Sequence, residues 1–126
     1  MVVFSNRRLG PGAELLVSRE SAAELVREVA AAAGPEAEAR WELELVAWLE
    51  RWATSDQTSF DVSEIAWTPE HFERQRGFLA NAIRRATVTS RNAGTLVRWC
   101  SMIEAHPRES VQVGRRWQWP VNLASR

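Results

Sequence analysis

FDVSEIAWTPEHFERQRGFLANAIRRA, residues 60–86, decides the fold class, because the hydrophobic period changes in the middle of it. Phe60 and Val62 share one face of an extended chain. Ile65 and Trp67 fall one residue out of step with them. One extra residue near Ser63 or Glu64 restores the alternation, so the spacing predicts a strand over 60–67 with a β-bulge. From Thr68 onward the period is helical. Thr68 suits an N-cap, Pro69 the first helical position and Glu70 the positive end of the helix dipole. Phe72, Leu79, Ala82, Ile83 and Ala86 then make an apolar stripe, with Phe78 beside it.

Upstream, MVVFS and GAELLVS flank the turn-forming NRRLGPG and read as a β-hairpin. SRESAAELVREVAAAAGP reads as a helix: Ser21 and Glu24 are spaced as a capping box, and Leu25, Val26, Val29, Ala30 and Ala33 repeat at helical spacing. Gly34, by a left-handed turn, and Pro35, by lacking an N–H, are expected to end it. EAEARWELELVAWLERWAT reads as a second helix with Trp41, Leu45, Trp48 and Trp52 on one stripe. Its WELEL piece also alternates, which leaves a local strand open. TSDQTS is a loop.

Downstream, TVTSRN leads into a helix over AGTLVRWCSMIEAH, with Leu96, Val97, Cys100 and Ile103 facing inward. HPRES turns the chain, and SVQVGRRWQW reads as a closing strand stopped by Pro120. Val111, Val113, Arg115, Trp117 and Trp119 would lie on one face of that strand, and Gln112, Gly114, Arg116 and Gln118 on the other. The order is ββααβααβ. It predicts an α+β fold, a four-stranded, mainly antiparallel sheet backed by about four helices. At 126 residues the chain fits a single globular domain spanning 1–126.

Composition narrows the chemistry. All 16 basic residues are arginine, so no lysine can act as nucleophile, Schiff base or phosphate-loop cation. Cys100 is alone, among core-like Trp99, Met102 and Ile103, and reads as a buried reduced thiol, which points to the cytoplasm. The first residues lack the basic start and apolar run of a signal peptide, and no window approaches eighteen consecutive apolar residues. His71, His106, Cys100 and Glu104 occur without CxxC, HxxxH or HExxH spacing, so neither metal nor cofactor is expected. Asp56 and Asp61 are the only aspartates, no GxSxG elbow occurs, and Gly10 and Gly12 lack a phosphate-loop context. The residues therefore predict a non-enzymatic protein.

Charge is unevenly spread. Residues 1–63 hold six arginines and eleven acids, a net −5; residues 64–126 hold ten and five, a net +5. From Arg74 to Ile103 there are six arginines and no acid. Two readings are open: an electrostatic footprint for a partner, or two halves that attract each other in the fold. On the first reading, Arg84, Arg85, Arg91 and Arg98 surround a segment resembling a helix–turn–helix, with Asn92, Thr95 and Arg98 near the start of its second helix. That makes a small nucleic-acid-binding regulator the alternative function. The long preceding helix, the loose turn and zero overall charge count against it.

Protein contact is the broader expectation. Seven tryptophans together with arginine are the residues enriched at binding hot spots. Trp41, Trp48 and Trp52 are expected in the core. Arg115, Arg116, Trp117, Gln118 and Trp119 form one candidate contact surface, and Glu36, Glu38, Glu42, Glu44 and Glu50 the other. The stretch Trp67-Thr68-Pro69-Glu70-His71-Phe72, followed by Gln75 and Phe78-Leu79, resembles the strand-to-helix unit of some small bacterial polymorphic-toxin immunity proteins. The resemblance covers about a fifth of the chain and implies a cytoplasmic inhibitor that masks a toxin domain. The acidic first half would suit a basic toxin.

Overall fold

A computed structural model describes residues 1–108. Two strands open it, β1 (Val2–Ser5) and β2 (Glu14–Val17), paired antiparallel as a hairpin with Val2 opposite Val17 and Phe4 opposite Leu15. The turn between them holds a 3-10 segment, Arg7–Leu9, and is closed by Gly10 at φ 96°, a left-handed backbone that only glycine adopts freely. Helices α1 (Arg19–Ala33) and α2 (Arg40–Ala53) follow, and β3 (Ser59–Asp61) returns beside β1. Helices α3 (Phe72–Thr87) and α4 (Ala93–Glu104) complete the described residues.

The α+β class is observed, but the sheet differs from the sequence expectation. Among the described residues it has three strands in the order β2-β1-β3, and β3 runs parallel to β1 with Phe60 opposite Phe4. The sheet is therefore mixed rather than mainly antiparallel. The reason is the connection: two helices cross between β2 and β3, long enough to bring the chain back in the direction of β1. The expected closing strand, with Arg115, Arg116, Trp117, Gln118 and Trp119, lies outside the described residues.

The strand at Phe60 is also shorter than expected, and no bulge forms. Asp61 accepts the Ser63 amide at 2.8 Å, which turns the backbone into the 3-10 segment Val62–Glu64. Val62 and Ile65 both face the core because they are three residues apart on a turn, not because a strand resumes. The next helix starts at Phe72, not Pro69. Thr68 caps the preceding turn through its hydroxyl oxygen, which accepts the His71 amide at 3.2 Å. Gln75 reaches back from α3, donating to the Ala66 carbonyl at 2.9 Å and accepting the Thr68 amide at 3.0 Å.

Other local expectations shift by a turn. Helix α1 is capped by Ser18, whose hydroxyl accepts the Ser21 amide at 3.2 Å, and Glu24 binds Arg91 and Asn92 instead of closing a capping box. Gly34 is right-handed and opens a 3-10 turn, Gly34–Glu36, that carries the chain toward α2. WELEL is helical. On α2 the buried residues are Leu45, Val46, Leu49, Trp52 and Ala53, while Trp41 and Trp48 are only partly buried. On α4, Trp99 and Met102 face inward with Leu96, Cys100 and Ile103; Val97 is 55% exposed.

The core gathers on the helix-facing side of the sheet. Val2, Phe4, Leu15, Val17 and Phe60 meet Leu25, Leu49, Ile83 and Trp99 there. Phe60 stacks on Phe4 at 5.4 Å between ring centroids, and Trp48, Trp52 and Trp99 pack edge-on against it at 5.1, 5.2 and 4.9 Å. No helix among the described residues is long and apolar enough to cross a membrane. Phe60→Ala removes the ring shared by these four neighbours and is expected to cost about 3–5 kcal/mol, read as a lower denaturation midpoint at unchanged slope. Val97→Ala, on the open face of α4, should stay within about 0.5 kcal/mol.

Candidate functional site

Two groups of polar residues stand out once the chain is folded: an inward cluster where β1 and β3 end, and an open acidic face on α2. The inward cluster centres on Asp61, which is 6% exposed. Its carboxylate accepts the Ser63 hydroxyl at 2.5 Å, the Ser5 hydroxyl at 3.1 Å and the Arg7 amide at 3.5 Å, and pairs with Arg7 Nε at 3.0 Å. Burial would raise this carboxyl, but the hydrogen bonds from Ser63, Ser5 and Arg7 overcome it and hold Asp61 below its ordinary range. A carboxylate so fully engaged is a poor proton acceptor. Its role is to pin the hairpin turn to the end of β3. Beside it Asn6 and His106 are buried against each other, with Nδ1 of His106 3.3 Å from Asn6 Oδ1.

The acidic face follows from the geometry of α2. Leu43, Glu44, Ala47 and Glu50 fall on its outward side at helical spacing, together with Arg40 and Arg51. Leu43 is 54% exposed. Glu44 pairs with Arg40 at 3.3 Å, one turn away. Glu42 is used within the chain: its Oε1 accepts the Glu38 and Ala39 amides at 2.7 and 2.8 Å and closes the first turn of the helix. Glu36, Glu38 and Glu50 are exposed, and their side chains make no hydrogen bond or ion pair among the described residues. The five glutamates thus divide into one capping residue, one paired residue and three open carboxylates.

The arginine-rich segment is largely taken up by the fold. Arg91 binds Glu24 of α1 through two nitrogens at 3.1 and 3.3 Å, and Asn92 donates to the same carboxylate at 3.0 Å. These bonds hold the Glu24 carboxyl below its usual range and raise the Arg91 guanidinium. Ser90 donates to Glu28 of α1 at 2.6 Å. Arg84 pairs with Glu104 and donates to Asn81 at 2.9 Å, and Arg85 donates to the Ala32 carbonyl at 3.0 Å. Arg98 stays exposed on the open side of α4. Attraction between the acidic and basic halves is therefore a structural fact at the α1–α4 junction. Arg91 and Asn92, at the start of the would-be recognition helix, are where it acts.

The other candidate groups are dispersed. Cys100 is buried with Sγ 3.8 Å from the Ala80 carbonyl oxygen, and burial pushes its thiol up, away from nucleophilic thiolate. His71 stacks on Trp41 at 5.7 Å, whereas His106 stacks on Trp67. No cluster of metal-ligating side chains forms among the described residues. No family model matches the chain, and neither curated proteins nor solved structures hold a match to it.

Sequence reasoning missed the Asp61 cluster. Its one local signal is an aspartate two residues before a serine, the pattern of a side-chain-closed turn. Arg7 and Ser5, more than fifty residues away, carry no such signal. Asp61→Ala leaves Arg7 Nε, the Ser5 hydroxyl and the Ser63 amide without their acceptor, Arg7 keeping only Glu64 and Ser63, and is expected to destabilise the chain by about 2–3 kcal/mol in chemical denaturation. Asp61→Asn should cost less, because one acceptor oxygen remains.

Proposed function

We propose that this chain is a non-enzymatic protein-binding module, an immunity-type inhibitor that occludes a basic toxin or effector domain in a bacterial cytoplasm. One observation carries the reading. On the open face of α2 a half-exposed Leu43 sits beside Glu44 and Glu50, and the neighbouring Glu36, Glu38 and Glu50 have no partner among the described residues. Four of the six arginines between Arg74 and Ile103 are meanwhile engaged within the fold, at Arg76, Arg84, Arg85 and Arg91. Carboxylates thus flank an apolar anchor on a face that also carries Arg40, paired with Glu44, and an exposed Arg51. A cationic protein surface with a shallow apolar recess is the complement of such a face. Inhibition follows from coverage: carboxylates speed encounter, and the buried contact blocks access to the partner's own site.

The test uses the full chain against the protein encoded by the adjacent gene. Titration calorimetry at two salt concentrations should show tight binding that weakens as salt rises. Leu43→Ala together with Glu44→Gln and Glu50→Gln should lower affinity by about tenfold or more, mainly through slower association and faster dissociation. Arg84→Ala with Arg85→Ala should leave that affinity unchanged. Retention of the chain on heparin at moderate salt, lost in the same double arginine variant, would instead move the assignment to a nucleic-acid-binding regulator.

A further inference from the structure

We propose that the outer edge of β2 is a docking site for residues 110–119 of this same chain, which pair along it as a parallel strand and set Val111 and Val113 beside Leu16. The register of the hairpin fixes which groups that edge presents. The Asn6 amide donates to the Ala13 carbonyl at 3.1 Å, and bonded pairs then recur at every second position, Phe4 with Leu15 and Val2 with Val17. Between them Val3 turns its amide the other way, to the Thr58 carbonyl at 3.0 Å. Glu14 and Leu16, opposite Ser5 and Val3, therefore carry their amide and carbonyl groups on the side away from β1. Among the described residues those four groups have no hydrogen bond.

The other edge of the sheet differs. There the Ser59 carbonyl already accepts the Trp52 indole N–H at 3.2 Å, so α2 covers the outer side of β3. Side chains on β2 point to the same vacancy. Leu15 and Val17 are buried under the helices, whereas Leu16 is 67% exposed on the opposite face, with the half-buried Val3 next to it. An unpaired strand edge beside an uncovered leucine is a template for another extended segment.

Two observations name the segment. The first is the place to which the described chain leads. Beyond α4, His106 sits against Asn6, whose amide bonds the residue just before β2, and Arg108 donates to the Pro69 carbonyl at 3.3 Å. Residue 109 thus follows from the end of the sheet at which β2 begins, and a segment laid along the edge from there runs in the direction of β2. Parallel neighbours need a long crossover, and the chain from α1 to α4 supplies it.

The second is the sequence. SVQVGRRWQW alternates, with Val111, Val113, Trp117 and Trp119 on one face and Arg115 between them, and its valines and tryptophans suit a pleated surface. Ten residues at about 3.3 Å each outreach the four residues of β2. The helix-facing side of β2 is already closed, so apolar area is gained by turning that face toward Leu16 and Val3. Val111 and Val113 come first and fall beside β2; Trp117 and Trp119 continue the same face beyond it.

Residue-resolved amide exchange on the full chain tests this. The Leu15 and Val17 amides face β1 and report on the hairpin; those of Glu14 and Leu16 report on the outer edge. The Glu14 and Leu16 amides should exchange about tenfold or more below the rate of an unpaired edge, at every protein concentration. Gln112→Pro with Val113→Pro removes two consecutive N–H groups, one of which must face β2. It should return Glu14 and Leu16 to fast exchange while Leu15 and Val17 stay protected. Nuclear Overhauser contacts should join the Leu16 methyls to those of Val111 or Val113. Four results would each overturn the proposal: unprotected Glu14 and Leu16 amides, protection that survives in the double proline variant, protection that grows with concentration and so gives the edge to a second copy, or Overhauser contacts from residues 110–119 to β3 instead. If the proline variant fails to fold, the Overhauser contacts of the unaltered chain decide, and their absence is equally fatal.

Discussion

The stacking of Phe60 on Phe4, 5.4 Å between ring centroids, is the contact on which the rest of the described structure depends. The two rings belong to adjacent parallel strands whose backbones pair over three positions. So short a ladder provides little cohesion by itself. The rings extend it into the core, where Trp52 of α2 and Trp99 of α4 pack against both. A residue on β1, one on β3 and one on each of two helices therefore share a single aromatic cluster. Aromatic packing at these distances adds to burial a geometric preference, edge against face, which a cluster of aliphatic side chains lacks. It fixes the angle of the helices over the sheet as well as holding them there. Trp52 also donates its Nε1–H to the Ser59 carbonyl at 3.2 Å, so the same side chain supports β3 through its backbone.

Polar residues complete what the rings begin. At the end of β1, Ser5, Asn6 and Arg7 each turn to a different part of the chain: Ser5 and Arg7 to Asp61, and Asn6 to Met102 and His106. Three consecutive residues thus tie the hairpin to β3 and to the end of α4. Asn6 and Asp61 are buried and Ser5 half-buried, so their hydrogen bonds replace water that the site has excluded, and leaving one unmade would be expensive; the Arg7 side chain closes the site from its exposed edge. The cluster contains a serine, an aspartate, an arginine and a histidine, yet its geometry is that of a joint: each group is turned toward another part of the fold.

Charge follows a related division. Arg76, Arg84, Arg85 and Arg91 reach across to α1 or to neighbouring carbonyl and carboxylate oxygens, while Arg98 and three glutamates around the start and end of α2 stay exposed. Zero net charge on the whole chain hides this difference. Pairs such as Arg91 with Glu24 and Arg84 with Glu104 use one charge of each sign, so they join the two halves without changing the balance of charge.

The sequence by itself determined the local elements with long, regular periods. The hairpin at 1–18, the four helices and the α+β class are legible because each depends on residues a few positions apart: alternation in a strand, three-to-four spacing in a helix, turn formers between. The acidic stretch 36–50 was legible as composition. Boundaries and directions were not. The chain turns after Asp61 because its side chain takes the Ser63 amide, a local bond, but the Arg7 and Ser5 groups that hold the same carboxylate in place lie more than fifty residues away. Whether β3 runs with or against β1 depends on how α1 and α2 pack, and β3 itself is only three residues long. Which glutamates stay open was settled when Glu42 closed a helix turn and Glu44 met Arg40. Short-range periodicity is written into neighbouring residues, whereas direction of pairing, side-chain capture and residual charge arise only when distant segments exclude water from one another.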